Sequence, residues 1–527
     1  MTDAVVIGAG PNGLVAANML ADRGWSVVVL EAEPEPGGAV RSAELIEPGF
    51  VNDLFSAFYP LAAASPAFKG LDLESHGLRW RRAPLVLAHP AKDGTCAVIS
   101  TDLDDTAGSL EAFAAKDGDG WRSLYGRWDK VGEQMLGALF TSFPPIRSSA
   151  ALARRVGRAD LLDFARFVLL PVRRMGEEAF DGAGGQRLLA GIALHADLAP
   201  EAPLSGMFGW MLACIGQQVG WPVPEGGSSN LTGALVRRLE SLGGEVRCNA
   251  PVEHVIIRDR RAVAVRLLDG TDVDARKAVI ADVDAPRLYR HLVGEDHLPS
   301  RVVDELNRFQ WDTATFKVDW TLDGPIPWRN PEARQAGTVH LTDSLNALTV
   351  GSALLTMGIV PEHPFLLVGQ QSMTDPTRMP AGRETVWAYT HLPRKIRSDA
   401  LGQITGNWEG GDDQRFADRM ENEIELMAPG FKALIRGRHI LTPSGLEDRD
   451  GNLVDGAING GTAQLHQQLV FRPIPSSMGR PETPIAGLFL GSSSAHPGGG
   501  VHGACGANAA RAAVAAAVRR SLRHPWG

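Results

Sequence analysis

Apolar runs and a glycine-rich turn at the start of the chain predict a strand, a turn and a helix. Residues 4–7 are a short β-branched run, residues 8–13 read Gly-Ala-Gly-Pro-Asn-Gly, and residues 14–20 carry apolar side chains with helical character. A second apolar strand at residues 25–30 ends at Glu31. This order of elements predicts a βαβ unit.

Later segments of the chain also show either a helical or a strand pattern of apolar positions. Residues 101–215 carry apolar side chains on repeating helical faces, interrupted by proline and glycine pairs. Residues 311–475 alternate more between apolar and polar positions, which predicts a sheet that forms a cavity wall. Strand and helix patterns at 216–310 and 476–527 return to the α/β type.

The turn at residues 8–13 has the spacing of a phosphate-binding loop. Gly8 permits the tight turn, Gly10 lets the backbone approach a pyrophosphate, and Gly13 allows the helix to pack on the strand. Backbone N–H groups and the helix dipole face the phosphates. Glu31 lies 18 residues after Gly13, where an acidic side chain binds a ribose and disfavours the 2′-phosphate of NADP. The sequence therefore predicts a dinucleotide other than NADP.

A glycine pair and an arginine follow this ribose contact. Gly37, Gly38 and Arg41 have no standard use in an NAD dehydrogenase. The segment resembles the second signature of flavoproteins of the phytoene desaturase and amine oxidase superfamily, in which the glycines bring backbone against the flavin diphosphate. The resemblance implies that Arg41 supplies charge near the phosphate or the ribityl chain. Many relatives carry Gly-Gly-Arg, whereas Ala39 follows Gly38 here.

The C-terminal segment resembles the last FAD-binding segment of phytoene desaturase-like proteins. A strand at residues 487–491 precedes a His-Pro-Gly-rich loop and an alanine-rich helix at about 507–522. The loop also fits the Gly-x-Gly-x-x-Gly spacing, but no Asp or Glu follows Glu482, which argues against a second nucleotide site. The resemblance implies that the helix N-terminus, near residues 501–503, faces the flavin and stabilises its reduced, anionic form.

These linked motifs imply an α/β fold, in which a glutathione-reductase-like FAD-binding Rossmann domain is interleaved with a substrate domain of mixed sheet plus helical insert. Within the superfamily the chain is similar to the branch of pyridine nucleotide-disulfide oxidoreductase domain-containing protein 2. The expected FAD domain comprises residues 1–80, 216–310 and 476–527, and the substrate domain comprises a helical part, 81–215, and a sheet part, 311–475. The residues expected to bind FAD are Gly8, Ala9, Gly10, Pro11, Asn12, Gly13, Glu31, Ala32, Gly37, Gly38, Ala39, Val40, Arg41, Val252, Gly491, Ser492, Gly500, Val501 and His502.

Three side chains are candidates for chemistry beside the flavin. His502 lies in the loop that the resemblance places over the flavin, and imidazole titrates near neutral pH. His195 in the helical insert and Tyr59 after the first flavin signature are the other two. Further aromatic residues are candidates either for the face of the flavin or for core packing: Phe55, Phe58 and Trp210.

The resemblance implies an FAD-dependent oxidoreductase, a dehydrogenase or desaturase that takes hydride from an apolar organic or polyene-like substrate onto flavin N5. Three alternatives stay open: a flavin amine oxidase, a redox-neutral polyene isomerase, and a non-catalytic FAD-binding scaffold. The four cysteines include no CxxC pair, so neither disulfide exchange nor a zinc site is predicted, and no metal is expected.

Charge and hydropathy exclude further classes. The net charge of −9 disfavours nucleic acid, because affinity for a polyanion needs clustered Lys and Arg. No run of about 18 apolar residues predicts a membrane span. The expected location is cytoplasmic.

One segment departs from this acidic background. Residues 147–175 hold seven arginines and two aspartates, a local charge of +5, interleaved with apolar side chains. Such a basic amphipathic stretch fits an anionic membrane surface. The alternative is a face turned to solvent or to a second subunit of a homo-oligomer.

Overall fold

The computed structural model describes residues 2–523. Within this range the strands form two seven-stranded sheets and three two-stranded ones. The first large sheet carries helices on its faces, and a helical layer packs beside the second. The molecule is α/β, with a Rossmann-type domain interleaved with a substrate domain, as the sequence predicts.

The first sheet contains the predicted βαβ unit. In spatial order its strands are Val252–Arg258, Arg261–Leu267, Asp272–Ala281, Thr2–Ile7, Val27–Leu30 and Glu245–Arg247, and Leu488–Leu490 pairs with Asp272–Ala281. The pairings around Thr2–Ile7 are parallel, whereas the first three strands of this order are antiparallel. The carboxyl ends of strands from both chain termini and from the middle therefore meet at one edge.

Both faces of this sheet are covered, which explains why its central strands are continuously apolar. Val6 and Val29 pack against the helices Pro11–Ala21, Ser229–Ser241 and Ala504–Arg523. Val5 and Val28 point to the other side, into a separate buried cluster. The alternation of side chains along a strand produces this division.

The second sheet forms the wall predicted for residues 311–475, extended by two strands from residues 85–99. Its spatial order is Ile435–Leu441, Ala314–Leu322, Glu384–Leu392, Leu366–Gln370, Ala336–Leu341, Leu85–Pro90 and Cys96–Ile99. In Ala314–Leu322 and Glu384–Leu392, one set of alternating residues fills an apolar core. The other set, which includes Lys317, Trp387 and Tyr389, turns to the cavity described below.

The predicted helical insert is a layer of seven helices. They are Leu103–Glu111, Asp117–Leu139, Ile146–Val156, Leu161–Leu169, Val172–Ala179, Ala183–Ala193 and Ser205–Val219. The remaining α-helices of the described range are Pro60–Ala64, Pro66–Lys69, Ser300–Leu306, Leu345–Met357, Gln371–Thr374, Asp412–Met427, Phe431–Leu434 and Pro443–Arg449, and Arg287–Val293 is a π-helix. The short two-stranded sheets pair Ser42–Ala43 with Asn52–Asp53, Trp80–Arg81 with Val223–Pro224, and Ile359–Val360 with Ser398–Asp399.

The basic segment 147–175 spans three of these helices. Arg166 and Arg174 pair with Glu178, and Arg173 pairs with Glu201, so carboxylates beyond the segment balance part of its charge. None of the helices within residues 2–523 is long and apolar enough to cross a membrane.

Candidate functional site

A cavity of about 1210 Å³ lies where the two large sheets and the helical insert meet. Gly10 and Asp282 line it from the first sheet, Lys317 and Tyr389 from the second, and Met211 from helix Ser205–Val219. Its volume exceeds the range of about 300–1,000 Å³ that is usual for the site of one small ligand. The cavity therefore has room for a cofactor and a substrate together.

The glycine turn presents bare backbone to this cavity. Helix Pro11–Ala21 begins directly after Gly10, so its N-terminal N–H groups point towards the lining. A Cβ on Gly10 would lie 2.6 Å from the Oδ2 atom of Asp282, so a side chain there would displace the carboxyl group that accepts from Gly13. The amide oxygen Oδ1 of Asn12 is buried at the same edge without a partner among residues 2–523. The bare glycine backbone and the helix N-terminus fit the diphosphate of a dinucleotide.

Glu31 is held in place for a ribose. Its Oε2 atom accepts a hydrogen bond from the N–H of Ala9 at 2.7 Å, and its Oε1 atom accepts one from the N–H of Glu33 at 3.0 Å. Burial raises the pKa of Glu31, and the two backbone hydrogen bonds oppose this shift. The carboxylate lines the cavity next to the glycine turn.

The second glycine motif packs directly against the first. The N–H of Gly37 donates to the carbonyl of Ala9 at 2.9 Å. Arg41 is buried, and its Nε atom donates to the carbonyl of Gly38 at 2.9 Å while its guanidinium lies near the ring of Phe55. Arg41 therefore lines the cavity as a fixed positive charge.

The two ends of the chain meet at the same place. A Cβ on Gly506 would lie 1.9 Å from the carbonyl oxygen of Asn12, so only glycine allows the last helix to approach the first so closely. The contact brings Gly500, Val501 and His502 to the lining of the cavity. The glycine turn, the glycine pair and the C-terminal loop thus surround one space that fits FAD.

His502 is a buried helix cap. Its Nδ1 atom accepts a hydrogen bond from the N–H of Ala504 at 3.0 Å, and its Nε2 atom donates to the carbonyl of Gly498 at 3.1 Å. Burial lowers the pKa of His502 to about 4. Both ring nitrogens are hydrogen-bonded to the backbone, so the ring holds the loop in position. The acid–base role of His502 stays a prediction.

The other two catalytic candidates also line the cavity. The hydroxyl of Tyr59 donates to the carbonyl of Ser56 at 2.7 Å, and burial raises its pKa. His195 approaches His340 and Tyr389, which lie on two strands of the second sheet that are separated by Leu366–Gln370. Their catalytic roles stay predictions.

The aromatic candidates divide into two groups. Phe55 and Phe58 line the cavity. Of the two possibilities for Trp210, the structure shows core packing, because its ring is fully buried against Trp128 and Phe167 and its Nε1 atom donates to the carbonyl of Leu124 at 3.0 Å. Its helix turns other residues, such as Met211, to the cavity.

The residues predicted to bind FAD divide into those that line the cavity and those that lie outside its lining. Those in its lining are Gly8, Gly10, Pro11, Asn12, Glu31, Ala32, Gly38, Ala39, Arg41, Val252, Gly500, Val501 and His502. Those outside the lining are Ala9, Gly13, Gly37, Val40, Gly491 and Ser492. Of the second group, Ala9 and Gly13 act through backbone hydrogen bonds to Glu31 and Asp282.

Sequence reasoning missed several lining residues. Asp282 is a buried carboxyl group and Asp450 a half-buried one, and both lie beside the glycine motifs. Lys317 is a buried lysine whose ammonium donates to the carbonyl of Asp53 at 2.9 Å and to the carboxylate of Asp319. The sequence indicates a position for Asp282, because this residue directly follows the carboxyl end of Asp272–Ala281, the strand that pairs with Thr2–Ile7. Asp450 and Lys317 come from the segment assigned to the substrate domain, and no sequence pattern indicated that they line the cavity.

Comparison with known proteins agrees with this geometry. The family model described as flavin containing amine oxidoreductase matches residues 12–357. Pyridine nucleotide-disulfide oxidoreductase domain-containing protein 2 of Rattus norvegicus is 28% identical over 96% of this chain and 92% of that protein. Phytoene desaturase (lycopene-forming) of Pseudescherichia vulneris is 24% identical over 95% of this chain and 96% of that protein.

A solved structure supports the fold. Wild-type putrescine oxidase bound to putrescine superposes with a TM-score of 0.62 at 17% identity, covering 98% of each chain. At this identity the likeness concerns the fold alone. The family match and the two relatives confirm the predicted superfamily resemblance, and the family match confirms the prediction that the cofactor is FAD.

Proposed function

Because this chain belongs to the flavin-containing amine oxidoreductase family, we propose that it is an FAD-dependent dehydrogenase that introduces a double bond into an apolar organic substrate. FAD supplies the hydride acceptor of this reaction. The observation that carries the proposal is the apolar part of the cavity wall. The similarity to a phytoene desaturase along nearly the whole chain supports the same reaction type.

The apolar part of the wall comes from the helical insert and the loops before it. Helix Ser205–Val219 contributes Phe208, Met211 and Leu212, and Leu139 and Phe140 come from the end of a second helix. Burying an apolar substrate against such side chains gains about 25 cal/mol per Å² of apolar surface removed from water. It also keeps water away from the reacting C–H bond.

Charged residues of this chain surround the place of the cofactor. Lys317 is fixed by Asp319 and by the carbonyl of Asp53, and the N-terminus of helix Ala504–Arg523 lies beside the cavity. The partial positive charge of the helix N-terminus favours the negative charge that a reduced cofactor would carry. The ammonium of Lys317 is balanced by Asp319 and contributes less.

Amine oxidation is the second candidate. The rings of Trp387 and Tyr389 are stacked, with centroids 6.1 Å apart and an interplanar angle of 24°, and both line the cavity. Aromatic faces attract cations, so this pair suits an ammonium group as well as a hydrocarbon. The experiment must therefore compare both substrate classes.

Anaerobic mixing of the FAD-loaded protein with phytoene and, separately, with octylamine tests the two candidates. We expect phytoene to bleach the flavin absorbance and to yield a product with one more double bond. If only octylamine bleaches the flavin, the protein is an amine oxidase and the proposed dehydrogenation of an apolar substrate is wrong. An isomerised hydrocarbon without bleaching would indicate a redox-neutral reaction.

A pair of matched variants tests the role of the apolar wall. Leu212→Asn introduces an amide into the lining, and Leu426→Asn makes the same change on an exposed helix. We expect the first variant to slow bleaching by about tenfold at unchanged FAD content, since an unpaired amide weakens binding of a hydrocarbon. The second variant should behave like the parent protein.

A further inference from the structure

Two histidines share a hydrogen bond at the cavity wall. The Nε2 atoms of His195 and His340 are 2.9 Å apart. His195 lines the cavity and packs edge-on against Trp221, whereas His340 is fully buried behind it on strand Ala336–Leu341. The pair is therefore open to a ligand only through His195.

Both rings are neutral, so one proton lies between the two Nε2 atoms. Burial lowers the pKa of His195 to about 3 and places the pKa of His340 well below its usual value. A neutral imidazole carries one N–H donor and one bare nitrogen. A hydrogen bond between two Nε2 atoms therefore requires one ring to be the Nε2–H tautomer and the other the Nδ1–H tautomer.

The surroundings of His340 decide which ring carries which proton. Its Nδ1 atom is buried and has no hydrogen-bond partner among residues 2–523. A buried N–H without an acceptor is rarer in proteins than a buried acceptor without a donor. We therefore assign Nε2–H to His340, which leaves its Nδ1 atom bare. His195 is then the Nδ1–H tautomer and accepts at Nε2.

Tyr389 supplies the hydrogen-bond donor of this part of the cavity wall. Its hydroxyl oxygen lies 3.4 Å from the Nδ1 atom of His195, at the long limit of a hydrogen bond. With the assigned tautomer this oxygen accepts a hydrogen bond from the Nδ1–H group of His195. The hydroxyl hydrogen of Tyr389 is therefore free to donate to a ligand. Burial raises the pKa of Tyr389, which keeps the phenol protonated.

The nearest carboxylate is already saturated. Asp197 accepts hydrogen bonds from Thr313 at 2.8 Å and from Asn459 at 2.6 Å, and it forms an ion pair with His391 at 2.7 Å. Among residues 2–523, the carboxyl side chains that line the cavity lie on the first sheet, on the loops at its edge and at residues 447–450. None of them lies on the elements that carry His195 and Tyr389. This part of the wall thus offers one donor, the Tyr389 hydroxyl, and no free anion.

We propose that Tyr389, whose hydroxyl is oriented by His195, forms a subsite that binds an oxygen acceptor, so that an apolar molecule carrying a ketone-type carbonyl group binds in preference to a pure hydrocarbon. The inference rests on the proposed function, because it concerns the substrate of that same cavity. His340 is a positioning residue, since its proton sets the tautomer of His195. The opposite tautomer would make the Tyr389 oxygen the ligand contact and would favour an ammonium group.

Three ligands of equal ring size distinguish these outcomes: cyclohexanone, methylenecyclohexane and cyclohexylammonium. Each is titrated into the oxidised, FAD-loaded protein, and binding is measured from the flavin difference spectrum without turnover. We expect cyclohexanone to bind about tenfold more tightly than methylenecyclohexane, because the two differ only in the oxygen. Cyclohexylammonium should bind more weakly than the ketone.

Matched substitutions at one position test the tautomer. His340→Gln keeps a donor for the Nε2 atom of His195, whereas His340→Leu removes it. We expect the glutamine variant to retain the preference for the ketone and the leucine variant to lose it at equal FAD content. Tyr389→Phe should lower the preference to within about threefold, since one hydrogen bond is lost.

Equal binding of ketone and methylenecyclohexane by the unsubstituted protein overturns the proposal, as does tightest binding of cyclohexylammonium. Identical behaviour of the His340 variants overturns the assigned role of His340. These results are separate from the reaction itself, because binding is measured without turnover. Dehydrogenation of a hydrocarbon without a ketone preference would leave the proposed function intact and remove only the subsite.

Discussion

The carboxyl group of Asp282 accepts a hydrogen bond from the backbone N–H of Gly13, with 2.7 Å between Oδ2 and the nitrogen. This contact places an acidic side chain inside the turn that faces the cofactor diphosphate. Burial raises the pKa of Asp282 to about 8, against the weaker lowering effect of the Gly13 hydrogen bond, and Asp450 and Glu31 raise it further. The group is therefore protonated at neutral pH, and its proton removes a negative charge from the phosphate site.

Retention of FAD should fall as the pH rises through about 8. Folding raises the pKa of Asp282 from about 3.9, so its contribution to stability is complete below that value and is lost as the pH approaches and passes about 8. Ionised Asp282 also repels the diphosphate. We expect the dissociation constant of FAD to increase about tenfold between pH 7 and pH 9. Fluorescence of released FAD measures the change.

The control for this pH dependence is Asp282→Asn, which keeps the shape of the side chain and cannot ionise. We expect FAD retention by this variant to be nearly independent of pH over the same range. An unchanged pH dependence in the variant would assign the effect to another group.

Gly10→Val should abolish FAD binding. Its Cβ would lie 2.6 Å from the Oδ2 atom of Asp282, and its methyl groups would occupy the approach of the diphosphate. Gly126→Val is the matched control, because a Cβ at Gly126 meets no atom within 4 Å. The ratio of flavin to protein absorbance gives the FAD content. A Gly10→Val variant that holds stoichiometric FAD would contradict the place assigned to the cofactor.

His502→Ala should lower stability more than it changes chemistry. The substitution removes the hydrogen bonds to Ala504 and Gly498 that cap the last helix, and a lost cap costs about 1–2 kcal/mol. Chemical unfolding monitored by circular dichroism measures this change. We expect the pH profile of flavin reduction between pH 6 and pH 8 to stay the same. A step in that profile that disappears in the variant would establish His502 as an acid–base residue.

The basic segment should bind anionic membranes. Ile146, Leu162 and Leu169 are 70%, 84% and 51% exposed, and Arg154 and Arg158 lie exposed on the same run of helices. Apolar and cationic side chains together favour an interface with acidic lipids. We expect flotation with vesicles that contain phosphatidylserine and none with pure phosphatidylcholine.

Substitution of exposed leucines tests which surface is responsible. Leu162→Gln combined with Leu169→Gln should reduce flotation, whereas Leu268→Gln, another exposed leucine far along the chain, should leave it unchanged. Absence of binding to the anionic vesicles would favour solvent or a second subunit as the neighbour of this segment.

The fold and the cofactor followed from the sequence because they depend on local backbone requirements. The spacing of Gly8, Gly10 and Gly13, with Glu31 at the end of the next strand, specifies a turn and a ribose contact within one βαβ unit. The uninterrupted apolar runs along the first strands are likewise typical of strands buried on both faces. The structure contains these elements within a few residues of the predicted bounds.

The wall beside the cofactor was decided only by tertiary structure. His195 and His340 are 145 positions apart, and their contact depends on how the helical insert packs on the second sheet. The same packing buries Trp210 and exposes Met211 to the cavity, although both lie on one helix. Sequence periodicity gives the spacing of a face but not which neighbour it meets, so the chemistry of the substrate site is a property of long-range packing.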